Sequence, residues 1–280
     1  MFTDLPELLG SKVMLGMGQA ACAICICLVV IAVCRGFAVR VEREALVSIA
    51  RGLVQMVAVG IVLAVLLHSS LVVGALILLA MTAAAAVTAS RRTRNMNGSL
   101  MVCFWSIAAG AGVVIGGMIA TRTLQTNIAM LVPVGSMIIA NAMNASAQAA
   151  ERFQAEVTAH VGQIEAGLAL GAEPAVAVAP YVQSAVYASL LPRLDMLKSL
   201  GLVWIPGVMA GMMVSGASPV YAGIYQFILV VMILTASGIA GLVVTVLLRT
   251  RAFSPAAQLI TRGESVPADA ATRRPQLKPI

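Results

Sequence analysis

Residues 224–248 read IYQFILVVMILTASGIAGLVVTVLL, twenty-five consecutive positions without a charged side chain. About 20 apolar helical residues cross a hydrocarbon core roughly 30 Å thick, so this segment can span a bilayer as one helix. Its apolar residues are continuous rather than alternating, which favours a helix over a barrel strand. Arg249 and Arg251 close it at one end, and the charge-free turn Ser215 to Ala222 precedes it.

Working outward, the same pattern recurs along the chain. Apolar runs fall at roughly Met14–Cys34, Leu53–Leu67, Leu71–Ala89, Leu100–Ala120, Ile128–Met143 and Leu200–Val214, the last interrupted by Pro206 and Gly207. His68, Ser69 and Ser70 form a minimal turn between the second and third, and Arg91, Arg92 and Arg94 stop the third. The expectation is an all-α integral membrane fold of about seven transmembrane helices. Hydrophobic residues make up 60% of the 280 and charged residues 10%, against about a quarter charged in soluble domains. So few charges cannot cover the surface of a soluble protein this apolar.

The net charge of +7 does not point to nucleic acid, because the basic residues sit at the ends of apolar runs. They act as topology determinants beside anionic lipid. With the N-terminus outside, the outer segments hold Lys12 and Arg122 and the remaining 16 of 18 basic residues lie inside. The positive-inside rule therefore predicts N-out and C-in; a bacterial inner membrane is the expected setting. Asp4 and Glu7 precede the first apolar run, where a cleavable signal would carry positive charge. Residues 1–251 are expected to form the membrane domain and 252–280, rich in Pro, Ala and charge, a disordered cytoplasmic tail.

One long stretch breaks the pattern. From Ala145 to Lys198 the chain is amphipathic and carries eight charged residues. It is expected to form helices outside the membrane or at its edge. Within it, Glu165-Ala166-Gly167-Leu168-Ala169-Leu170-Gly171-Ala172 has the look of a short helix ended by glycine, with Leu168 and Leu170 as its buried edge. Such a helix either lies at the interface or docks into a groove on a partner.

The chain carries no enzyme signature. A P-loop needs Gly-x-x-x-x-Gly-Lys-Ser/Thr, and Gly10-Ser11-Lys12 lacks the upstream glycine. Ion-coupled carriers place ionisable groups within the membrane, and these apolar runs hold almost none. Transport energy is therefore expected from another protein.

Several polar positions interrupt the apolar runs. Pro133, Met137, Asn141 and Asn144 fall on one helical face. Their amides are costly against lipid, so they either bond between helices or line a path; Gln55 and Gln226 pose the same choice. Gly207 with Gly211, and Gly112 with Gly116, have the spacing of close helix packing. Pro206 frees a backbone carbonyl and either makes a hinge, as in the broken helices that line transporter sites, or simply kinks the helix. Cys25 and Cys27 point to different faces, so with Cys22 they are packing residues rather than one metal site. Met209, Met212 and Met213 offer thioethers for a soft ion but are ordinary packing residues by default.

In order along the chain, several elements carry a resemblance. They are Arg51 with Gln55 and Gly60, Pro133 with Met137, Asn141, Met143 and Asn144, and Arg152 with Glu156. Next come the Glu165–Ala172 loop, with Gly171 six residues after Glu165, and Pro192, then Gly201-Leu202-Val203, Pro206-Gly207, Met209 and Gly211. Gly216, Ser218-Pro219, Ala222 and Tyr225-Gln226 complete the set. Over roughly Arg51 to Leu248 the chain resembles the FetB/YbbM-type permeases, related to plant aluminium-tolerance transporters. Members often carry threonine and glutamine where this chain has Ala210 and Met212.

The resemblance implies the permease subunit of an ATP-binding-cassette (ABC) transporter. It would be a homodimer paired with a separate ATPase that binds ATP and Mg, with iron export proposed for bacterial members. It implies an ATPase-coupling helix between spans five and six, formed by Glu165, Ala166, Leu168, Leu170, Gly171 and Ala172. It also implies a path past Gln55, Met137, Asn141, Asn144, Pro206, Gly207, Met209, Gly211 and Gln226. A non-metal cargo, a passive channel or a membrane scaffold are the alternatives.

Overall fold

The computed structural model describes residues 11–37, 42–66, 70–92, 98–124, 127–253 and 259. The expected turn at His68 and Ser69, the stop at Arg94, Asp4, Glu7 and the tail from 260 onward lie outside them. The chain divides into two compact units, 1–68 and 69–280.

The first unit is a pair of helices, α1 (Ser11–Gly36) and α2 (Glu42–Leu66). Arg35 pairs with Glu42 across the connection at 3.4 Å. The sequence expectation began the second span at Leu53. The helix instead starts at Glu42, where Glu42 and Glu44 in its first turn favour the positive end of the helix dipole. Nearly every described side chain of this unit is exposed, Met14, Ile26, Val54 and Met56 among them. Such surfaces are stable only in an apolar solvent.

The second unit is built on four long helices: α3 (Leu71–Ser90), α4 (Ser99–Ala120), α5 (Ile128–Ala159) and the later α10 (Pro219–Arg251). Together with α1 and α2 these make six helices long and apolar enough to cross a membrane. Among the described residues there are no strands beyond two isolated bridges. Two of the four long helices start at a side-chain cap. Asn127 caps α5 by accepting from the Met130 amide at 2.9 Å. Ser218 caps α10 through the Tyr221 amide, with Pro219 at its first position.

The core where α3, α4, α5 and α10 meet holds Leu78, Ile107, Met118, Ile138, Leu229 and Ile233. Ser106 and Ser146 bond there at 2.9 Å between α4 and α5. The charges are segregated between the ends of this unit. Arg92 pairs with Glu151 at 4.0 Å and Arg251 Nη1 donates to the Gly98 carbonyl at 2.8 Å, gathering the basic ends of α3, α5 and α10. Arg122 lies at the opposite end, after α4.

Three expectations are corrected here. First, the fifth span does not end at Met143. Helix α5 continues unbroken to Ala159, roughly 24 Å further at 1.5 Å per residue. The chain returns as helix α8 (Ala179–Ser199), reached through α6 (Val161–Ala169) and α7 (Pro174–Ala177). Helix α8 runs back along α5 and α10: Leu190 lies against Gly238, Ser189 against Gly241, and Arg193 reaches Asn141. Much of the stretch Ala145–Lys198 therefore packs along the long helices of this unit rather than standing apart from them.

Second, the sixth span, expected over Leu200–Val214 with an interruption at Pro206 and Gly207, has no helix before that interruption. Only α9 (Gly207–Val214) is helical there, about 12 Å of rise. The end of α8 is joined to α9 by an unwound link at 200–206. Gly201 takes a left-handed φ of 77°, and the Ser199 carbonyl accepts from the amides of Leu202, Val203 and Trp204.

Third, the expected packing glycines are not the ones used within this chain. A Cβ at Gly112, Gly116, Gly207 or Gly211 would meet nothing within 4 Å. The close approach is at Gly110, where a Cβ would lie 2.5 Å from the Ala236 carbonyl and 3.1 Å from the Ala240 methyl. The tail beyond 251 also begins ordered: Ala252 and Leu259 are buried in the second core cluster with Phe153, Val157 and Leu248.

Gly110→Ala should lower unfolding stability in detergent by about 1–3 kcal/mol, as overpacking against backbone does. Gly112→Ala should leave the unfolding midpoint unchanged or raised.

Candidate functional site

The short helix α6 follows α5 after the single residue His160. A polar network fixes this corner. Arg152 pairs with Glu156 at 2.7 Å, the Ser184 hydroxyl donates to Glu156 Oε1 at 3.2 Å, and the Tyr181 hydroxyl donates to Gln163 Oε1 at 3.1 Å. The Tyr181 ring stacks on His160 with centroids 4.9 Å apart. Ile164 is fully buried beside Phe153, Val157 and Val178, and it anchors α6 to the body of the unit.

The far end of α6 closes in a Schellman turn. The Gly171 amide bonds the Leu168 carbonyl and the Ala172 amide bonds the Gly167 carbonyl, both at 3.0 Å. Gly171 has φ +88°, which is why glycine stands there. The glycine-ended helix expected at Glu165–Ala172 is thus present. Its buried edge is different: Ile164 and half-buried Leu168 face the core, while Leu170 is 89% exposed. Helical spacing explains this, since Leu168 lies one turn after Ile164 and Leu170 projects from the opposite side. Glu165, Ala166 and Gly171 are exposed and Ala172 is half-buried.

The path residues fall into separate groups. Met137, Asn141 and Asn144 share a half-buried face of α5, with Pro133 exposed on the same stripe, as their spacing predicts. The Asn141 side chain donates to the Met137 carbonyl of its own helix at 2.9 Å. Gln226 is buried on α10, and its Oε1 has no donor within reach. Pro206 is buried, Met209 is half-buried against Gly223, and Gly207 and Gly211 are exposed. Gln55 is exposed on α2, in the other unit. An open pocket of 510 Å³ is lined by Arg122, Met130, Gly211, Met212, Tyr221 and Tyr225, among others. Arg122 holds a left-handed φ of 57° in the turn after α4. Among the described residues, no three His, Cys, Asp or Glu side chains come together as a metal site.

One residue that sequence reasoning passed over is Arg193. It is 8% exposed on α8, and its Nη2 donates to the Asn141 backbone carbonyl at 3.3 Å. The Ser237 hydroxyl reaches the same carbonyl at 3.5 Å. The signal was present: Ala185, Ser189 and Arg193 recur every four residues and form the buried stripe of α8.

The comparisons with known proteins agree with this architecture. The model of the uncharacterised protein family UPF0014 matches residues 17–253. The rice (Oryza sativa subsp. japonica) UPF0014 membrane protein STAR2 is 32% identical over 221 residues, 78% of this chain and 77% of its own. The Arabidopsis thaliana protein ALUMINUM SENSITIVE 3 is 29% identical over 248 residues, covering 88% of this chain and 90% of that one. The Escherichia coli K12 protein described as probable iron export permease protein FetB is 28% identical over 222 residues, 78% of this chain and 85% of its own. No solved structure matches. The chain is a multi-pass helical membrane protein and belongs to the UPF0014 family.

Proposed function

We propose that this chain is the membrane-spanning subunit of an ABC transporter that exports metal, iron in the first instance. Two copies would pair, and a separate ATPase subunit would bind ATP and Mg. The observation that carries the reading is α6: a rigid, glycine-terminated helix, tethered at Ile164, presenting Leu170 to solvent at the basic end of the unit. An exposed leucine at the tip of an otherwise well-anchored helix is what a docking groove on an ATPase would bury. The name of the E. coli relative supports export of iron.

In this mechanism, ATP-driven closure of the partner pushes on α6. The push passes through Ile164 and the Arg152–Glu156–Ser184 network into α5 and α8. Those helices carry the half-buried Met137, Asn141 and Asn144 and the unwound link 200–206. Cargo would pass along this face and leave by the pocket beside Arg122 and Tyr225. The charge segregation of the unit supports an orientation with the N-terminus outside and the C-terminus cytoplasmic.

Leu170→Glu should abolish co-purification with the ATPase in mild detergent while leaving thermal stability unchanged. Gly171→Val should lower coupled ATPase activity, because a β-branched residue at positive φ strains the turn by about 1–2 kcal/mol. Unaltered transport in both variants would show that α6 is not the docking element. Gln226→Leu removes a buried acceptor that has no donor, so unfolding stability should hold or rise by about 1–3 kcal/mol. Nucleotide-dependent iron export into inverted vesicles should fall in the same variant. A loss of stability with full transport would make Gln226 a packing residue.

A further inference from the structure

Arg193 is a charge in the wrong place for a packing residue. Asn141, which it touches, lies 13 residues into α5 from Ile128, about 20 Å along the helix. The first charges of α5, Glu151 and Arg152, come some 15 Å later. Arg193 therefore sits at hydrocarbon depth, nearer the basic end. A buried guanidinium without a counter-ion is strongly unfavourable, and an ionisable group at this depth marks a functional position.

Among the described residues, its surroundings supply no counter-ion. Nη2 has only a backbone carbonyl, and Nε is buried with no acceptor. Of the described acids on the elements packed against it, Glu151 pairs with Arg92, and Glu156 pairs with Arg152 and His160. On α8 itself, Asp195 pairs with Lys198 at 3.1 Å and both are exposed. Ser189 and Ser237, buried on neighbouring faces, add hydroxyls but no charge. Directly beyond this group the chain unwinds at 200–206, where Leu202 and Val203 are nearly fully exposed. An unwound backbone and an exposed Asp195–Lys198 pair at this depth are tolerated only against protein or a water-filled cavity.

We propose that Arg193 is the anion-recognising residue of the transport path, so that cargo passes as a small oxyanion. The chemistry is a carboxylate or phosphate, alone or as the outer ligand shell of a metal complex, rather than a bare cation. A guanidinium offers such a group paired donors, and the free Nε supplies one of them. A bare divalent cation would be repelled by the same residue. The proposal rests on the transport reading for its meaning. It is tested on the permease alone, so its failure leaves the ATPase-docking experiments untouched.

The test is calorimetric titration of the full chain in lipid nanodiscs with citrate, ferric citrate, inorganic phosphate and ferrous ion. At least one oxyanion should bind to the natural protein, and which one responds separates a free anion from a metal complex. Arg193→Gln should weaken that binding about tenfold or more, the scale of a charged hydrogen bond, with Arg193→Lys intermediate. A purely structural role predicts lower thermal stability in Arg193→Gln with unchanged oxyanion affinity.

Should Arg193→Gln fail to fold, Ser237→Asp decides. It places a carboxylate beside the guanidinium, should fold, and should lose the oxyanion. Absence of oxyanion binding to the natural protein overturns the proposal. Oxyanion binding unaltered in either variant overturns it.

Discussion

In hydrocarbon, every backbone amide and carbonyl must find its partner within the protein, because no water is present to take its place. That constraint shapes this molecule. Six helices satisfy it by length alone. Among the described residues of the second unit, the link 200–206 relaxes it. One carbonyl, that of Ser199, accepts three amides, Gly201 turns left-handed, and Pro206 is buried. The break cannot stand in lipid by itself, so its position identifies the side of the unit that needs shelter.

The rest of the second unit follows from the same scarcity of forces. Lipid gives helices no hydrophobic reason to associate, so packing and small residues must hold them. Gly110 lets α4 touch the backbone of α10, Gly135 admits Leu78 of α3, and Gly241 admits Ser189 of α8. The Ser106–Ser146 bond adds a directional contact between α4 and α5. Helix α8 belongs to this framework because its buried stripe is small, Ala185 and Ser189, until it reaches Arg193.

Much of this was legible in the residues. The run 224–248 is so uniformly apolar that no other fold accommodates it, and the glycine after Leu170 marked the end of α6 correctly. What was not legible has physical causes. Arg193, Asp195 and Lys198 made α8 resemble a helix in water, because charge content does not reveal which residues are buried against neighbouring helices. A small-xxx-small spacing marks a face that can pack, not the face that does, so Gly112 and Gly116 were indistinguishable from Gly110. Leu170 and Ile164 are both aliphatic, and only the docking of α6 on Phe153 and Val178 decides which is buried. The shared face of Met137, Asn141 and Asn144 on α5 was legible from their spacing, but the charge that faces Asn141 comes from a helix 52 residues away.

Helix α5 is 32 residues long without a break, a rod of about 48 Å. Its C-terminal third lies beside α6, and its N-terminal end lies beside the pocket at Met130. Such a rod multiplies small movements: pivoted at its C-terminal end, a tilt of about 5° sweeps its N-terminal end by roughly 4 Å. Half of that lever comes from the residues of α5 beyond Met143. A helix ended there would sweep about half as far for the same tilt.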